Sequence, residues 1–407
     1  MRLLTRINSP VCHLIIIFSL TFSLAPFCFR NLLYSPTFSR SLHLRRMSRA
    51  FLLQNMQDGT DALRFFKHKI GFSPLKYENK DNNSVPCNYK ASVLHNSKAP
   101  TGSIPLVITI ITTRRRPEYH YLLQVARGFL DRISECGNDC SDFQLFVCNV
   151  DSSPSSHEDA CLLSQLLPSV TRNLNDEQQD NPPNQFEREK QDYAFCLSRT
   201  LETFSPEYVL LVEDDAVPKN DIFSAFFQLV QVRFPTKPLG GGLYVKFYHP
   251  ERLQGYLNPE PMRILEWIGL GFLLGIILNW MYTKMFYQQR FSWCMFISFT
   301  VYSMLLAELF GRHYLLELRR MLPVLYNVVP TTECCTPAML FSEASAHRTL
   351  VYLKETKCKS GYAKDTALYK ELKRRGDWAW VIEPNMVTHV GLFSTLRDGY
   401  EEEPQLL

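Results

Sequence analysis

Three consecutive acids, Glu213, Asp214 and Asp215, follow an apolar run from Tyr208 to Val212 in the stretch YVLLVEDDAVP. A short apolar run rich in β-branched residues reads as a strand buried on both faces. Pro218 cannot donate to a ladder and helps end it. Three carboxylates at the end of a buried strand repel one another and are costly to desolvate, so a positive group is expected beside them. A hard divalent cation with oxygen ligands is the natural candidate, and the crevice beyond the strand ends of an open α/β sheet is where ligands bind. The plainer reading is a polar turn whose acids are solvated or cap the next helix. Asp214 and Asp215 are the candidate ligand or ligand-orienting acids. His389, at the end of another extended run, is a candidate to complete the sphere through a neutral imidazole, although a lone histidine is more often structural.

These acids need a scaffold. In IPLVITIITTRRRP a buried strand, Leu106 to Ile111, runs into Thr112, Thr113 and then Arg114 to Arg116. A helix over Tyr119 to Ile133 follows, then a strand from Gln144 to Val150 ending at Asp151. A second helix, Phe186 to Leu201, carries Glu187, Lys190, Gln191 and Asp192, and the acidic strand comes next. Strand and helix alternate, which predicts an α/β fold with a mostly parallel sheet. Beyond Pro218 the pattern predicts a helix over Ile222 to Phe234 and a strand over Leu243 to Tyr248. Helices over Ser342 to Glu355 and Lys364 to Arg375 and a strand over Trp378 to Ile382 complete it. Neither GxGxxG nor GxxxxGK[ST] occurs, which argues against a dehydrogenase and a P-loop NTPase.

The net charge of +4 over 407 residues, with no basic stripe interleaved with aromatics, does not suggest a nucleic-acid binder. Twelve cysteines form no zinc pattern. Cys136 and Cys140 bracket a turn, Cys148 lies in a strand-like run, Cys196 follows a helix-like one, and Cys334 and Cys335 are adjacent. An oxidising compartment would make disulfides of several of these. The sequon at Asn82 permits glycosylation if that part is lumenal.

Val11 to Phe29 is almost wholly apolar and near the ~20 residues a bilayer requires. An uncleaved signal anchor is favoured over a cleaved signal peptide, because Phe27-Cys28-Phe29 is bulky. Residues 48–72 show helical spacing and read as a helix or helix pair, a stem. Ile264 to Tyr282 and Phe291 to Phe310 are two further apolar runs joined by a short basic link, which suits a membrane hairpin with a cytosolic turn. The alternative is a pair of long buried helices in a soluble protein. The expected organisation is a cytosolic tail (1–10), an anchor (11–29), a lumenal stem and loop (30–103) and a catalytic domain in two parts (104–263 and 311–407). The hairpin interrupts that domain, with spans 264–282 and 291–310 and turn 283–290.

The EDD element looks like the DxD-type motif of GT-A glycosyltransferases. The set LVITIITT, EREKQDYAFCL, YVLLVEDDAVP, YHPERLQ, NPEPMRILEW, GRHYLLELRR, CCTPAMLF and PNMVTHVGLFS closely resembles the post-GPI-attachment N-acetylgalactosaminyltransferase family over nearly the whole chain. The core strands are more faintly similar to branching N-acetylglucosaminyltransferases of the fourth type. The resemblance implies a Golgi enzyme with a GT-A-like domain, an N-terminal anchor and an inserted membrane hairpin. Its reaction would move GalNAc from UDP-GalNAc to a mannose of the GPI glycan on GPI-anchored proteins at the bilayer, with inversion and with Mn²⁺ as the cofactor. Inversion calls for one general base. Asp365 is the expected base, with Glu266 and Glu251 less favoured, and Asp215 is expected to be catalytic through the metal. Thr112, Thr113, Lys190, Asp192, Glu213, Asp214, Thr336 and Pro337 are the expected donor-binding residues. Glu213 stands where the family type more commonly has Asp, which leaves open which two acids touch the metal. The competing readings are another UDP-sugar transferase and a non-catalytic membrane scaffold.

Overall fold

Leu106–Thr112 is built of Leu, Val, Ile and Thr, side chains that pack well on a pleated surface. In the computed structural model it is β1, an inner strand of an eight-stranded sheet. The structure describes residues 10–38, 40–71, 105–172, 182–250, 253–257, 261–285 and 292–393. Asn82, Glu251, residues 173–181, 286–291 and 394–407 lie outside them, while 283–285 of the expected turn 283–290 belong to the first helix of the hairpin.

In chain order, α1 (Pro10–Phe29) and α2 (Arg40–Lys69) precede β1. Then come α3 (Tyr121–Cys136), β2 (Gln144–Asn149), α4 (Glu158–Leu163), β3 (Ser169–Thr171), α5 (Gln185–Phe204) and β4 (Tyr208–Glu213). After them lie β5 (Ala216–Pro218), α6 (Ile222–Phe227), β6 (Val245–Lys246), α7 (Pro261–Met285), α8 (Trp293–Phe310) and α9 (Arg312–Glu317). The chain closes with β7 (Asn327–Pro330), β8 (Ala338–Ser342), α10 (Glu343–Glu355), α11 (Lys364–Arg374), β9 (Trp380–Glu383) and β10 (Val387–His389).

The sheet order is β3-β2-β1-β4-β8-β6-β9-β7. β3, β2, β1 and β4 run parallel, β8 is antiparallel to β4 and β6, and β6 and β9 pair in parallel. The fold is therefore mixed α/β with a mostly parallel centre. β5 and β10 form a separate antiparallel ribbon in which His389 faces Ala216 and Val387 faces Pro218. The acidic strand thus stops at Glu213, turns through Asp214 and Asp215 and restarts. Pro218 sits in that ribbon rather than ending the larger strand, as an edge position allows. Several expected segments shorten or shift. The Leu243–Tyr248 run contributes only Val245–Lys246 to the sheet, and the helix expected over Ile222 to Phe234 is α6 followed by a π-helical turn, Gln228–Arg233.

By contact density the chain divides into two units. The larger holds 49–249 and 320–404, and therefore the sheet. Of the helix or helix pair expected over 48–72, the structure shows one helix, α2, and it packs into the core: Ala62 and Phe66 are fully buried. Asn55 Nδ2 donates to the Val390 carbonyl at 2.9 Å, and Gln124 Nε2 donates to the Asn55 carbonyl at 3.0 Å. A Cβ on Gly59 would collide with the Tyr119 carbonyl, so only glycine fits this approach. The ends of α5 and α10 are capped by Asn184, which accepts from Glu187 N at 3.0 Å, and by a Ser342–Ser345 capping box.

The smaller unit is drawn from the described residues of 10–48 and 250–319. Its α1, α7 and α8 are long and apolar enough to cross a membrane. Gly271 and Gly275 let α7 approach α8 closely; a Cβ on Gly275 would lie 3.0 Å from Thr300 N. Polar ties fix the bundle. Trp267 Nε1 donates to the Met304 carbonyl at 2.7 Å, and His13 Nδ1 lies 2.8 Å from the Tyr282 hydroxyl. Buried Arg312 donates to Glu266 Oε2 at 2.6 Å.

Three disulfides join the six cysteines singled out in the sequence: Cys136–Cys140, Cys148–Cys196 and Cys334–Cys335. Cys161 is also disulfide-bonded. Cys148–Cys196 ties β2 to α5 across 48 residues of sequence, a loop whose closure constrains the unfolded chain. Replacing both cysteines with alanine should lower stability by about 2–4 kcal/mol, read as the shift in the thermal midpoint in detergent. A loss under ~0.5 kcal/mol would mean the link constrains nothing.

Candidate functional site

The parallel strands β1, β2 and β4 end together, and their last residues carry the polar chemistry. Thr112 Oγ1 donates to Asp214 Oδ2 at 2.8 Å, and the Thr113 amide donates to the same oxygen at 3.3 Å. Arg115 reaches across from the loop after β1. Its Nη2 lies 3.1 Å from Asp214 Oδ1, and its Nη1 pairs with Asp215 Oδ2. Both aspartates are buried. The β5–β10 ribbon brings His389 Nε2 to 3.3 Å from Asp215 Oδ2, and the Val390 amide donates to the Asp215 carbonyl at 2.8 Å. Gly391 closes over the pair; a Cβ there would overlap the Asp215 carboxylate and lie 2.9 Å from Arg115 Nη1.

The electrostatics follow from burial around one guanidinium. Burial would lower Arg115, but Asp214 and then Asp215 hold it protonated. Burial would raise Asp215, and Arg115 and His389 overcome that, keeping it well below the usual carboxylate range. Asp214 is pushed up to about 6 by burial, with Asp215 adding to the rise and Arg115 opposing it. Asp215 therefore carries the firm negative charge of the pair.

In front of this turn lies a cavity of about 710 Å³, within the usual range of small-molecule sites. Arg114, Arg115, Arg188 and Lys364 bring positive charge to its wall, and Asp151, Glu189, Asp192, Glu213 and Asp214 bring negative charge. Lys364 Nζ lies 3.0 Å from Glu213 Oε1 and also pairs with Glu189, so both acids meet one buried ammonium. Asp192 pairs with Arg172, and Arg188 Nε lies 3.8 Å from its other oxygen. Burial pushes Asp192 up to about 6 against these arginines. Asp151 Oδ2 accepts from the Arg114 amide at 2.8 Å and the Thr113 hydroxyl at 3.2 Å, which fixes the basic loop.

The residues expected from the sequence divide into three groups. Thr113, Asp192, Glu213 and Asp214 line the cavity, while Thr112, Asp215 and His389 form the layer behind it. Lys190 does not face it: its ammonium pairs with Glu187 at 2.6 Å and with the Thr356 carbonyl on another side of α5. Thr336 and Pro337 do not line it either; the Pro337 carbonyl accepts from the Glu213 amide at 2.8 Å, so this segment buttresses the acidic turn. Asp365 follows the cavity-lining Lys364, and its oxygens accept from the Cys335 amide at 3.1 Å and the Thr366 amide at 2.8 Å. Glu266 belongs to the other unit, paired with Arg312 and Arg319. Arg114, Arg115, Arg188, Glu189 and Lys364 were not singled out as site residues. The run Arg114–Arg116 at a strand's carboxyl end was the available signal.

A divalent cation fits part of this donor set. Asp214 has both oxygens engaged, but Asp215 Oδ1 and His389 Nδ1 are buried without a hydrogen-bond partner, and both atom types ligate such ions. Among the described residues no group of three or more His, Cys, Asp or Glu is arranged to hold a metal alone. Asp215 and His389 therefore suit an ion whose remaining ligands come from substrate oxygens and water.

The family model of GPI-N-acetylgalactosamine transferase PGAP4 matches residues 106–388. The chain belongs to this family. Its members are glycosyltransferases, and the matched span runs from β1 into β10, covering the acidic turn and the cavity and ending one residue before His389. The PGAP4 match also spans the two inserted membrane-length helices, α7 and α8.

Removing one partner from a buried ion pair leaves an uncompensated charge. Arg115→Met should therefore cost about 3–5 kcal/mol of stability, measured by thermal or denaturant unfolding in detergent. A loss below ~1 kcal/mol would show that the guanidinium is not the counterion of the acid pair.

Proposed function

We propose that this protein is a GT-A-type enzyme of the Golgi membrane, with its catalytic unit in the lumen. It transfers GalNAc from UDP-GalNAc to a mannose of the GPI glycan on proteins that already carry the anchor. The observation that carries this reading is the family match joined to an acidic turn at the ends of parallel strands, facing a cavity walled by four cationic side chains. Family membership supplies the sugar and the GPI acceptor class. The UDP carrier, the mannose, the inversion and the compartment are the finer parts of the proposal.

A nucleotide diphosphate needs positive charge along its phosphates. Arg114, Arg188 and Lys364 supply it, and Glu213 and Glu189 hold the Lys364 ammonium in place. Asp151, at the end of β2, offers a carboxylate to the nucleoside hydroxyls. Asp215 and His389 would hold Mn²⁺, which when bound would offset charge on the diphosphate leaving group. In the reaction the bond between the anomeric carbon and the phosphate oxygen breaks, and its electron pair leaves with UDP. A new bond forms from the acceptor oxygen on the opposite face, and a base takes the hydroxyl proton. Asp365 is our assignment for that base, at the start of α11 and steadied by two backbone amides. Glu189 is the other candidate: burial raises its pKa, and its Oε2 is buried without a partner beside the same lysine.

The deciding experiment follows UDP release by purified protein in detergent with Mn²⁺ and a GPI-glycan acceptor, comparing UDP-GalNAc, UDP-GlcNAc and UDP-Gal. Selective turnover of UDP-GalNAc, lost in Asp215→Ala, is expected. Preference for UDP-GlcNAc would favour a branching-type transferase, and no turnover of any donor by folded protein would favour a scaffold. Asp365→Asn should lower kcat by about 10²–10⁴-fold, the typical contribution of a general base, with UDP affinity unchanged. The same pattern in Glu189→Gln alone would move the base there.

UDP-GalNAc binding should also depend on pH. As pH falls through about 6, Asp192 and Asp214 both gain protons and the cavity loses negative charge, so UDP-GalNAc, whose diphosphate diester keeps its charge in this range, should bind more tightly at pH 5.5 than at pH 7. Asp192→Asn should remove its share and so reduce that dependence in calorimetric titrations, leaving the part due to Asp214. A dependence of the same size in this variant would place its origin elsewhere.

A further inference from the structure

The catalytic unit carries a short apolar tip that the proposed chemistry does not use. Between Arg320 and Tyr326 the sequence reads Met321-Leu322-Pro323-Val324-Leu325, with no charged side chain. Met321 is 77% exposed, Leu322 56%, Val324 68% and Leu325 47%. Single exposed apolar residues are ordinary on protein surfaces. Four large ones within five consecutive residues are not a scatter.

This exposure is built into the fold. Arg320 Nη1 donates to both Asp221 oxygens, at 2.7 and 2.6 Å, and the Tyr326 hydroxyl donates to Asp221 Oδ2 at 2.8 Å. One carboxylate therefore pins both ends of the tip to the catalytic unit. Inside it, the Leu325 amide donates to the Leu322 carbonyl at 2.9 Å and the Tyr326 amide to the Pro323 carbonyl at 3.1 Å, a closed turn around Pro323. Backbone polar groups are thus partly satisfied internally while the side chains point outward.

The position along the chain says what covers the tip. The membrane-length helix α8 ends at Phe310, and only residues 311–320 separate it from Met321. Even fully extended that link spans about 35 Å, and α9 and the 3₁₀ turn Leu318–Met321 shorten it. An uncharged apolar turn so few residues beyond a membrane-length helix has the composition of the monotopic elements that bury apolar side chains at the bilayer interface.

We propose that Met321–Leu325 is a membrane-interface anchor whose partner is the lipid bilayer, seating the catalytic unit against the leaflet that α8 leaves. Two attachments, the spans and the tip, then restrict how the unit can tilt. A lipid-anchored acceptor would meet a site held at fixed height and orientation, which raises effective concentration and productive alignment. This last consequence rests on the proposed function; the lipid contact does not.

The test uses the full-length protein with Cys12, Cys28 and Cys294 replaced by serine, leaving buried Cys358 in place. Val324→Cys is labelled with an NBD fluorophore and reconstituted into phosphatidylcholine vesicles. The proposal expects blue-shifted emission that is quenched at least about twofold more by lipids with doxyl groups near the headgroup than by aqueous iodide. Emission typical of water with strong iodide quenching would overturn it. So would protection from both quenchers, which would point to a second copy or a protein partner on the tip. In a second arm, the double variant Met321→Asp, Val324→Asp should lower transfer to a GPI-anchored protein about 5–10-fold while leaving transfer to a soluble GPI glycan unchanged. Equal loss on both acceptors would remove the orienting role. Absence of transfer by the unsubstituted protein would instead count against the proposed function and leave the fluorescence result standing.

Discussion

Arg115 lies between two buried aspartates, and the catalytic unit is arranged around that charge balance. Asp214 and Asp215 sit where a core strand ends, with almost no water to solvate them. Without the guanidinium their mutual repulsion and desolvation would favour opening the turn. With it, β4 can end in adjacent carboxylates, and the chain can turn directly into β5. The β5–β10 ribbon then closes the far side, brings His389 to Asp215 and requires glycine at 391 because no side chain fits there. Glu213 is left facing the cavity, where it meets Lys364. Charge is thus sorted by depth: a neutralised layer behind, and a wall of both signs in front.

The sequence carried much of this in local terms. An apolar β-branched run ending in acids could hardly be anything but a core strand, and alternation with amphipathic segments fixed the α/β class. What it could not carry were choices that depend on rotation or on distant strands. On α5 the residues that reach the cavity are Gln185, Arg188, Glu189, Asp192 and Tyr193, recurring at three- and four-residue intervals on one face. Lys190, about 100° away from Glu189, turns to Glu187 instead. Three consecutive arginines gave no way to tell which one turns inward, because the partner of Arg115 is made by a ribbon whose other strand lies more than 160 residues away. Likewise, Thr336 and Pro337 are close to the acidic turn through a backbone hydrogen bond, a contact that side-chain type does not announce.

The inserted pair of membrane-length helices shows how little an α/β sheet is disturbed by a long excursion. The chain leaves after β6, forms α7 and α8, and returns to supply β7, which pairs with β9, itself the neighbour of β6. Sheet continuity depends on strand ends lying near each other and not on the length of the loop that joins them, because loop-closure entropy grows only slowly with length. The hairpin has its own packing rules, with glycines at the crossing and indole and tyrosine hydrogen bonds as ties.

The central claim is that the cavity beyond β1, β2 and β4 binds the nucleotide of the donor. Photolabelling with a UDP analogue bearing an azide on uracil, followed by peptide mapping, tests it most directly. The account predicts adducts within residues 111–115, 150–152 or 182–193, suppressed by excess UDP-GalNAc. Adducts confined to the separate surface between α5 and α10, near Phe195 and Leu350, would contradict it.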